Sequence, residues 1–184
     1  KRRCLLESAF ICAPCCASMR AAEKCGACVF FKPPSRDYDH LPRYSTAEMA
    51  DSRALDRISF PIEAGLCSLD AERGLAMKDH EAIAIIELLL DLYAFGDSKE
   101  SAGERIDTLG CRSLVELVER ELKGADRAKI AKVLGTVRHV ARRRNIGGRH
   151  HLEVLHTYVG ELVQSGVGNR RLPDGSRLIV GDLE

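Results

Sequence analysis

From residue 79 onward, apolar residues recur at every third or fourth position, which is the spacing of one face of an α-helix. The pattern predicts a helix over 79–95, two shorter helices that begin near Ser101 and Ser113, and two longer ones over about 125–144 and 149–164. Glycines stand where several of these helices should end. The second half of the chain is therefore predicted to form a bundle of four or five helices.

The helix over 79–95 is apolar on nearly its whole circumference, with a narrow polar seam that includes Glu87 and Asp91. Such a helix is typical of the centre of a bundle, and it also permits a homodimer. The two carboxylates lie one helical turn apart and are candidate acid–base groups or metal ligands. Because no Glu-x-x-His motif accompanies them, a salt-bridged or partly exposed seam is the favoured interpretation.

The region before the bundle has a weaker pattern. "KPPSRDYDHLPRYS" is a polar, proline-rich loop, and Ser45 with Glu48 has the spacing of a capping box, which predicts a helix to about Arg57. The following "ISFPIEAGLCSLD" contains Pro61 and Gly65, and it is predicted to be irregular or briefly extended.

These patterns predict a mainly α protein in four parts. They are a cysteine-rich metal-binding module at 1–32, a proline-rich connector with one helix at 33–77, the helical bundle at 78–166 and a C-terminal tail at 167–184. In the tail, Pro-Asp-Gly-Ser between two extended arms predicts a short β-hairpin. The chain has no Trp and 5% aromatic residues, so its core must consist mainly of Leu, Ile, Val and Ala.

The net charge of +1 conceals an uneven distribution. Residues 1–36 carry a net charge of +5, residues 37–135 carry −7, and residues 136–184 carry +3. Both ends can therefore contact nucleic acid, although the overall balance is below that of a dedicated nucleic-acid-binding protein.

The longest apolar run, residues 82–95, is shorter than the roughly 20 residues that a bilayer requires, and acidic residues interrupt it. The apolar part of the first ten residues is too short for a signal peptide. We therefore expect no membrane partner and a cytoplasmic location. A reducing cytoplasm favours metal binding over disulfides for closely spaced cysteines.

Five of the eight cysteines lie within residues 11–31. Cys12 and Cys15 form one C-x-x-C pair, and Cys25 and Cys28 form a second. Each such turn places both sulfurs on one side, within reach of backbone N–H groups, so two pairs can surround one tetrahedral Zn²⁺. Zinc binding would also supply the folding free energy that a segment of this length lacks.

The remaining cysteines leave the ligand set open. Cys4, Cys16 and Cys67 are additional candidate ligands, whereas Cys111 stands alone before a helix and is predicted to be an ordinary buried thiol. The alternative metal is iron in an iron–sulfur cluster, although the compact C-x₂-C-x₂-C-x₃-C-P run and any flavin or dinucleotide fingerprint are missing. Thiol or disulfide chemistry is the third alternative.

The segment "RRCLLESAFICAPCCASMRAAEKCGACVFF" resembles a cysteine-rich leader found in uncharacterised bacterial proteins that have a helical remainder. The residues that carry this resemblance are Cys4, Cys12, Cys15, Cys16, Arg20, Cys25, Cys28 and Phe30. The resemblance implies a metal-binding leader, which covers about one sixth of the chain, and it implies no activity.

A basic stretch, "RHVARRRNIGGRHH", is the candidate contact for a polyanion. The candidate residues are Lys132, Arg138, His139, Arg142, Arg143 and Arg149. The glycines at 147 and 148 leave backbone N–H groups near the next helix start, which favours a phosphate. The alternative is a solvated charged surface, because no aromatic residues are interleaved with the cations.

Other polar residues give weaker indications of a site. His150, His151 and His156 do not converge on one helix face, and Asp37, Asp39 and His40 are typical of a polar turn. The chain lacks P-loop, nucleophile-elbow and dinucleotide motifs, and only a Cys–His pair distant in sequence is left open as catalytic machinery. We therefore expect a non-enzymatic, zinc-stabilised module that binds protein or nucleic acid. The alternative is an iron–sulfur protein for electron transfer or redox sensing.

Overall fold

The computed structural model describes residues 2–4, 10–19, 36–164, 170–171 and 177–178. The chain divides into two units, Lys1–Asp37 and Tyr38–Glu184. It is mainly helical, as the apolar periodicity predicts. No helix in these ranges combines the length and the apolarity needed to cross a bilayer.

The first unit contains a short antiparallel strand pair and one helix. Strand β1 (Arg2–Arg3) pairs with β2 (Phe10–Ile11), and helix α1 (Ala13–Ser18) follows directly. Cys12 is the N-cap residue of α1. Cys25 and Cys28, together with most of the predicted metal-binding module at 1–32, lie outside the described residues.

The second unit holds the bundle. Its described helices are α2 (Thr46–Ala50), α3 (Arg53–Glu72), α4 (Asp79–Tyr93), α5 (Lys99–Thr108), α6 (Arg112–Glu121), α7 (Arg127–Arg144) and α8 (His150–Gln164). Strands β3 (Arg170–Arg171) and β4 (Arg177–Leu178) are antiparallel neighbours. Residues 172–176 between them are outside the described residues, so the predicted hairpin stays a prediction.

Helix α3 corrects the sequence prediction of an irregular segment. The capping box of Ser45 and Glu48 is present, but α2 ends at Ala50 and α3 then runs without interruption through Pro61. Proline cannot donate the backbone hydrogen bond of its own turn, a cost that tertiary packing outweighs here. The apolar residues that α3 buries include Leu55, Ile58, Ile62, Leu66 and Leu69.

Gly65 is the second residue in α3 that disfavours a helix, and close packing against α6 explains its presence. A Cβ at this position would lie 3.1 Å from Leu117 Cδ2 and 3.4 Å from Leu114 Cγ, both on α6. The glycine therefore allows α6 to approach α3 closely.

The centre of the bundle is formed by α4 and α7, and α3 packs against α6, α7 and α8. As predicted, α4 is a central helix, and its residues Ile85, Ile86 and Leu88 to Leu90 have no exposed surface. Because helices of the same chain cover these residues, the sequence argument for a homodimer loses its basis.

A segment without regular secondary structure, residues 38–45, lies across α7, and we call it the strap. The Tyr44 N–H donates to Thr136 Oγ1 at 2.9 Å, and the Thr136 hydroxyl lies 3.2 Å from the Tyr44 carbonyl oxygen. Gly135 makes the approach possible, because a Cβ there would lie 2.9 Å from the Pro42 carbonyl oxygen.

Candidate functional site

The first C-x-x-C pair has the turn geometry expected of it. The Sγ atoms of Cys12 and Cys15 lie 2.7 Å apart, and the Cys15 N–H donates to Cys12 Sγ at 3.2 Å. Both are free thiols, and both residues are exposed. The two sulfurs thus lie together at the surface, and Cys12 Sγ also accepts a backbone N–H.

Hydrogen bonding shifts the pKa values of the two thiols in opposite directions. The side-chain contact with Cys15 is the largest cause, and the Cys15 N–H the next, of a lowered pKa at the Cys12 thiol. The same side-chain contact raises the pKa of the Cys15 thiol. Cys12 is therefore the first of the pair to become a thiolate, the form that attacks disulfides and binds metals.

The other described cysteines do not extend this pair into a metal site. Within the described ranges, no group of three or more His, Cys, Asp or Glu side chains is placed to hold a metal ion. Cys4 and Cys16 are half-buried, and the second predicted pair falls outside these ranges. A complete four-cysteine site therefore stays a prediction.

Cys67 is a poor ligand for a physical reason. It lies in the hydrophobic core of the second unit, and burial raises the pKa of its thiol to about 12. The thiolate that a metal requires is therefore disfavoured there. Cys111 is fully buried, as predicted for an ordinary thiol.

The candidate polyanion contact lies along α7, and several of its cations contact the strap. Lys132 Nζ lies 4.7 Å from the centre of the Tyr44 ring, and His139 Nδ1 lies 3.0 Å from an Arg43 guanidinium nitrogen. Arg142 and Arg143 are exposed. Part of the predicted basic stretch therefore holds the strap in place.

Arg138 does not belong to an exposed polyanion contact. Its side chain is only 5% exposed, and it makes ion pairs of 2.7 Å with both Glu87 and Asp39. Its guanidinium carbon lies 5.0 Å from the centre of the Tyr38 ring. Arg138 points toward α4 rather than solvent, so its role is to join α4, α7 and the strap.

Arg149 is also engaged within the chain. Its guanidinium pairs with the buried carboxylate of Asp70, and it donates to the Met77 carbonyl oxygen. The predicted phosphate position at the start of α8 is occupied as well, because the Asp79 carboxylate accepts from the N–H groups of His151 and Leu152. The chain supplies its own anion to this helix terminus, which removes the basis for a phosphate there.

Asp70 is the centre of a polar cluster that the sequence did not indicate. It is fully buried and accepts from Arg149, from the Met77 N–H at 3.0 Å and from His156 Nε2 at 2.8 Å. Burial alone would raise the pKa of Asp70, but the bonds from Arg149 and His156 outweigh it and lower that pKa. Asp70 lies in the segment predicted to be irregular, so its burial could be anticipated only by reading α3 as a helix.

The seam on α4 is salt-bridged, which confirms the favoured interpretation. Asp91 is fully buried, makes an ion pair with Arg105 and accepts from the Tyr38 hydroxyl at 2.9 Å. Glu87 pairs with Arg138. Each carboxylate thus has an arginine beside it, and Asp91 also accepts a hydrogen bond from a hydroxyl.

His151 is buried without a polar partner. It is 2% exposed, and neither ring nitrogen has a hydrogen-bond partner. Burial lowers the pKa of this imidazole to about 4. His150 is exposed and His156 bonds to Asp70, so the three histidines do not converge, as predicted.

Comparison of the chain with protein-family models, with curated proteins and with solved structures gives no match. The resemblance of the cysteine-rich leader to bacterial proteins therefore stays a prediction.

Proposed function

We propose that this chain is a non-enzymatic, zinc-stabilised interaction module. Cys12, Cys15, Cys25 and Cys28 bind one zinc ion in the first unit, and the helices of the second unit bind a protein or nucleic-acid partner. Zinc stabilises the fold in this proposal and takes no part in chemistry.

The observation that carries the zinc site is the geometry of the first cysteine pair. Two exposed thiols lie together, and the Cys15 N–H already donates to Cys12 Sγ. Backbone N–H groups that bond to the sulfurs are the usual outer partners of zinc thiolates, and they orient the ligands. The second pair has the same spacing, so it can provide the other two thiolates of a tetrahedral site.

The surface proposed for the partner is the C-terminal end of α7 and the loop that follows. Arg142 and Arg143 are exposed there, and Ile146 is 81% exposed. The arginines provide charge for an anionic partner, and the isoleucine provides an apolar anchor. Arg138 and Arg149 are left out of this surface because carboxylates of the chain bind them and their side chains are only 5% and 18% exposed. Arg142 lies 3.6 Å from Asp39, but its side chain is 53% exposed.

Metal content tests the zinc site. Protein purified without air should contain about one zinc per chain and show no visible absorption bands. Cys12→Ser should lose the zinc, whereas Cys111→Ala, in the core of the second unit, should retain it. Iron with acid-labile sulfide would contradict zinc and support the iron–sulfur alternative. A chain without metal would contradict both.

Charge reversal tests the partner surface. The double variant Arg142→Glu/Arg143→Glu should weaken binding to a short DNA duplex or single strand and reduce the salt dependence of that binding. Lys123→Glu/Lys129→Glu, at exposed positions near the opposite end of α7, makes the same change in net charge, is the matched control and should have little effect. If neither variant changes the affinity, nucleic acid is not the partner of this surface.

A further inference from the structure

We propose that Cys12 and Cys15 are also a redox pair, which a small-molecule disulfide of the glutathione class oxidises to an intramolecular disulfide, with release of the zinc ion. The first step, disulfide formation, requires only the two thiols. The second step, zinc release, rests on the proposed zinc site.

The arrangement of the two sulfurs carries this inference. They already lie 2.7 Å apart across a single turn, so a bond between them needs little movement of the backbone. Both residues are exposed, which gives an oxidant access to them. The same closeness that suits a shared metal therefore suits a disulfide.

The neighbouring cysteines are weaker partners. Cys16 directly follows Cys15, and consecutive Cα atoms are about 3.8 Å apart across a trans peptide, which is shorter than the separation most disulfides adopt. The described part of the chain contains no cis peptide bond. Cys67 and Cys111 are buried in the second unit. Cys12 with Cys15 is thus the pair whose sulfurs the structure itself brings into contact.

The oxidation of the two cysteines takes place in two thiol–disulfide exchanges. The Cys12 thiolate attacks one sulfur of the oxidised disulfide, whose S–S bond breaks and releases one thiolate, leaving a mixed disulfide on Cys12. The Cys15 sulfur then attacks Cys12 Sγ and releases the second thiolate. Two electrons pass from the cysteines to the oxidant, and the two released thiolates take up protons from the thiols or from solvent.

Zinc release follows from the loss of ligands. The sulfurs of a disulfide are not thiolates, so oxidation leaves the metal with only the Cys25 and Cys28 ligands of the proposed set. Because zinc supplies folding free energy to a unit of this size, its release also weakens the fold of the first unit. Oxidation would thereby control the stability of the module.

The test treats the full chain, zinc-loaded and metal-free, with oxidised glutathione. A chromogenic chelator follows zinc, and tryptic mass spectrometry after alkylation follows the thiols. Trypsin cleaves after Arg3 and Arg20, so one peptide contains Cys4, Cys12, Cys15 and Cys16. We expect this peptide to lose two hydrogens, with fragments that place the bond between Cys12 and Cys15, and about one zinc per chain to be released. Dithiothreitol should reverse both changes.

Two variants sharpen the result. Cys15→Ser should accumulate glutathione on Cys12, because the second exchange is blocked, and Cys16→Ser should still form the Cys12–Cys15 bond. A bond that links other cysteines, or no bond in either sample, overturns the redox pair. A Cys12–Cys15 bond that forms while zinc stays bound overturns the release step. If zinc never binds, the zinc proposal fails by itself, and the metal-free sample still decides the redox pair.

Discussion

Arg149 makes two parallel hydrogen bonds to the carboxylate of Asp70, one from each terminal nitrogen, at 3.0 and 2.8 Å. The carboxylate is fully buried, and the arginine side chain is 18% exposed. An interaction in which a guanidinium donates two hydrogen bonds to one carboxylate is both strong and geometrically specific. This pair joins α3 to the residue that precedes α8, and it connects parts of the chain 79 residues apart.

Removing Arg149 should therefore destabilise the bundle. Arg149→Met leaves the Asp70 carboxylate buried with fewer donors, and we expect the free energy of unfolding to fall by about 3 kcal/mol. Urea denaturation measures the change. Arg112→Met, which breaks the exposed ion pair with Asp107, is the control and should cost less than about 1 kcal/mol. Equal effects of the two variants would contradict a special role for the buried pair.

His151 should make stability depend on pH. Its pKa is lowered to about 4 from an ordinary 6.5, so the folded state favours the neutral imidazole. The unfolded state binds the proton first, and stability should decrease as the pH falls from about 6.5 toward 4, by up to about 3 kcal/mol. Urea denaturation at a series of pH values measures this loss.

A variant isolates the contribution of this one histidine. His151→Leu cannot bind the proton, so it should remove this part of the pH dependence and preserve stability near neutral pH. His80→Gln, which replaces an exposed histidine, is the matched control for the loss of an imidazole. An unaltered acid profile in His151→Leu would show that other groups cause it.

Gly135 should be essential for the strap. Gly135→Ala places a Cβ 2.9 Å from the Pro42 carbonyl oxygen, which is backbone and must move, so we expect a loss of about 1–3 kcal/mol in unfolding free energy. Gly103→Ala in α5, where nothing lies within 4 Å of the new Cβ, should instead gain about 0.5–1 kcal/mol. Stabilisation by both variants would mean that the strap does not pack closely on α7.

Leu75 should be replaceable with a gain in stability. Its φ of 59° is in the left-handed region, which disfavours a bulky side chain, and the residue is 54% exposed. Leu75→Asn should raise the free energy of unfolding by about 0.5–1 kcal/mol, because asparagine tolerates this conformation better. Ile146→Asn, at another exposed apolar position, should give no such gain. A loss of stability in Leu75→Asn would indicate that packing of the leucine outweighs the strain.

The sequence predicted the bundle helices well because their apolar spacing is long and regular. The central position of α4 followed from its apolar circumference. The prediction was wrong at Pro61, where a local breaker signal suggested an irregular segment and the packed face of α3 maintained a helix. Local rules could not weigh that packing, because the helices that cover α3 come later in the chain.

The same limit applied to the candidate sites. Residue spacing alone determined that Cys12 and Cys15 share one turn, since the two sulfurs depend only on a few consecutive backbone angles. Which cations face solvent was decided by the tertiary structure. In the sequence, Arg138 and Arg149 belong to a basic stretch. In the fold, Glu87 and Asp70, which are 51 and 79 residues away in the sequence, lie against them. Whether a charged side chain is exposed or neutralised depends on the residues that pack beside it. The periodicity of one helix does not identify those residues.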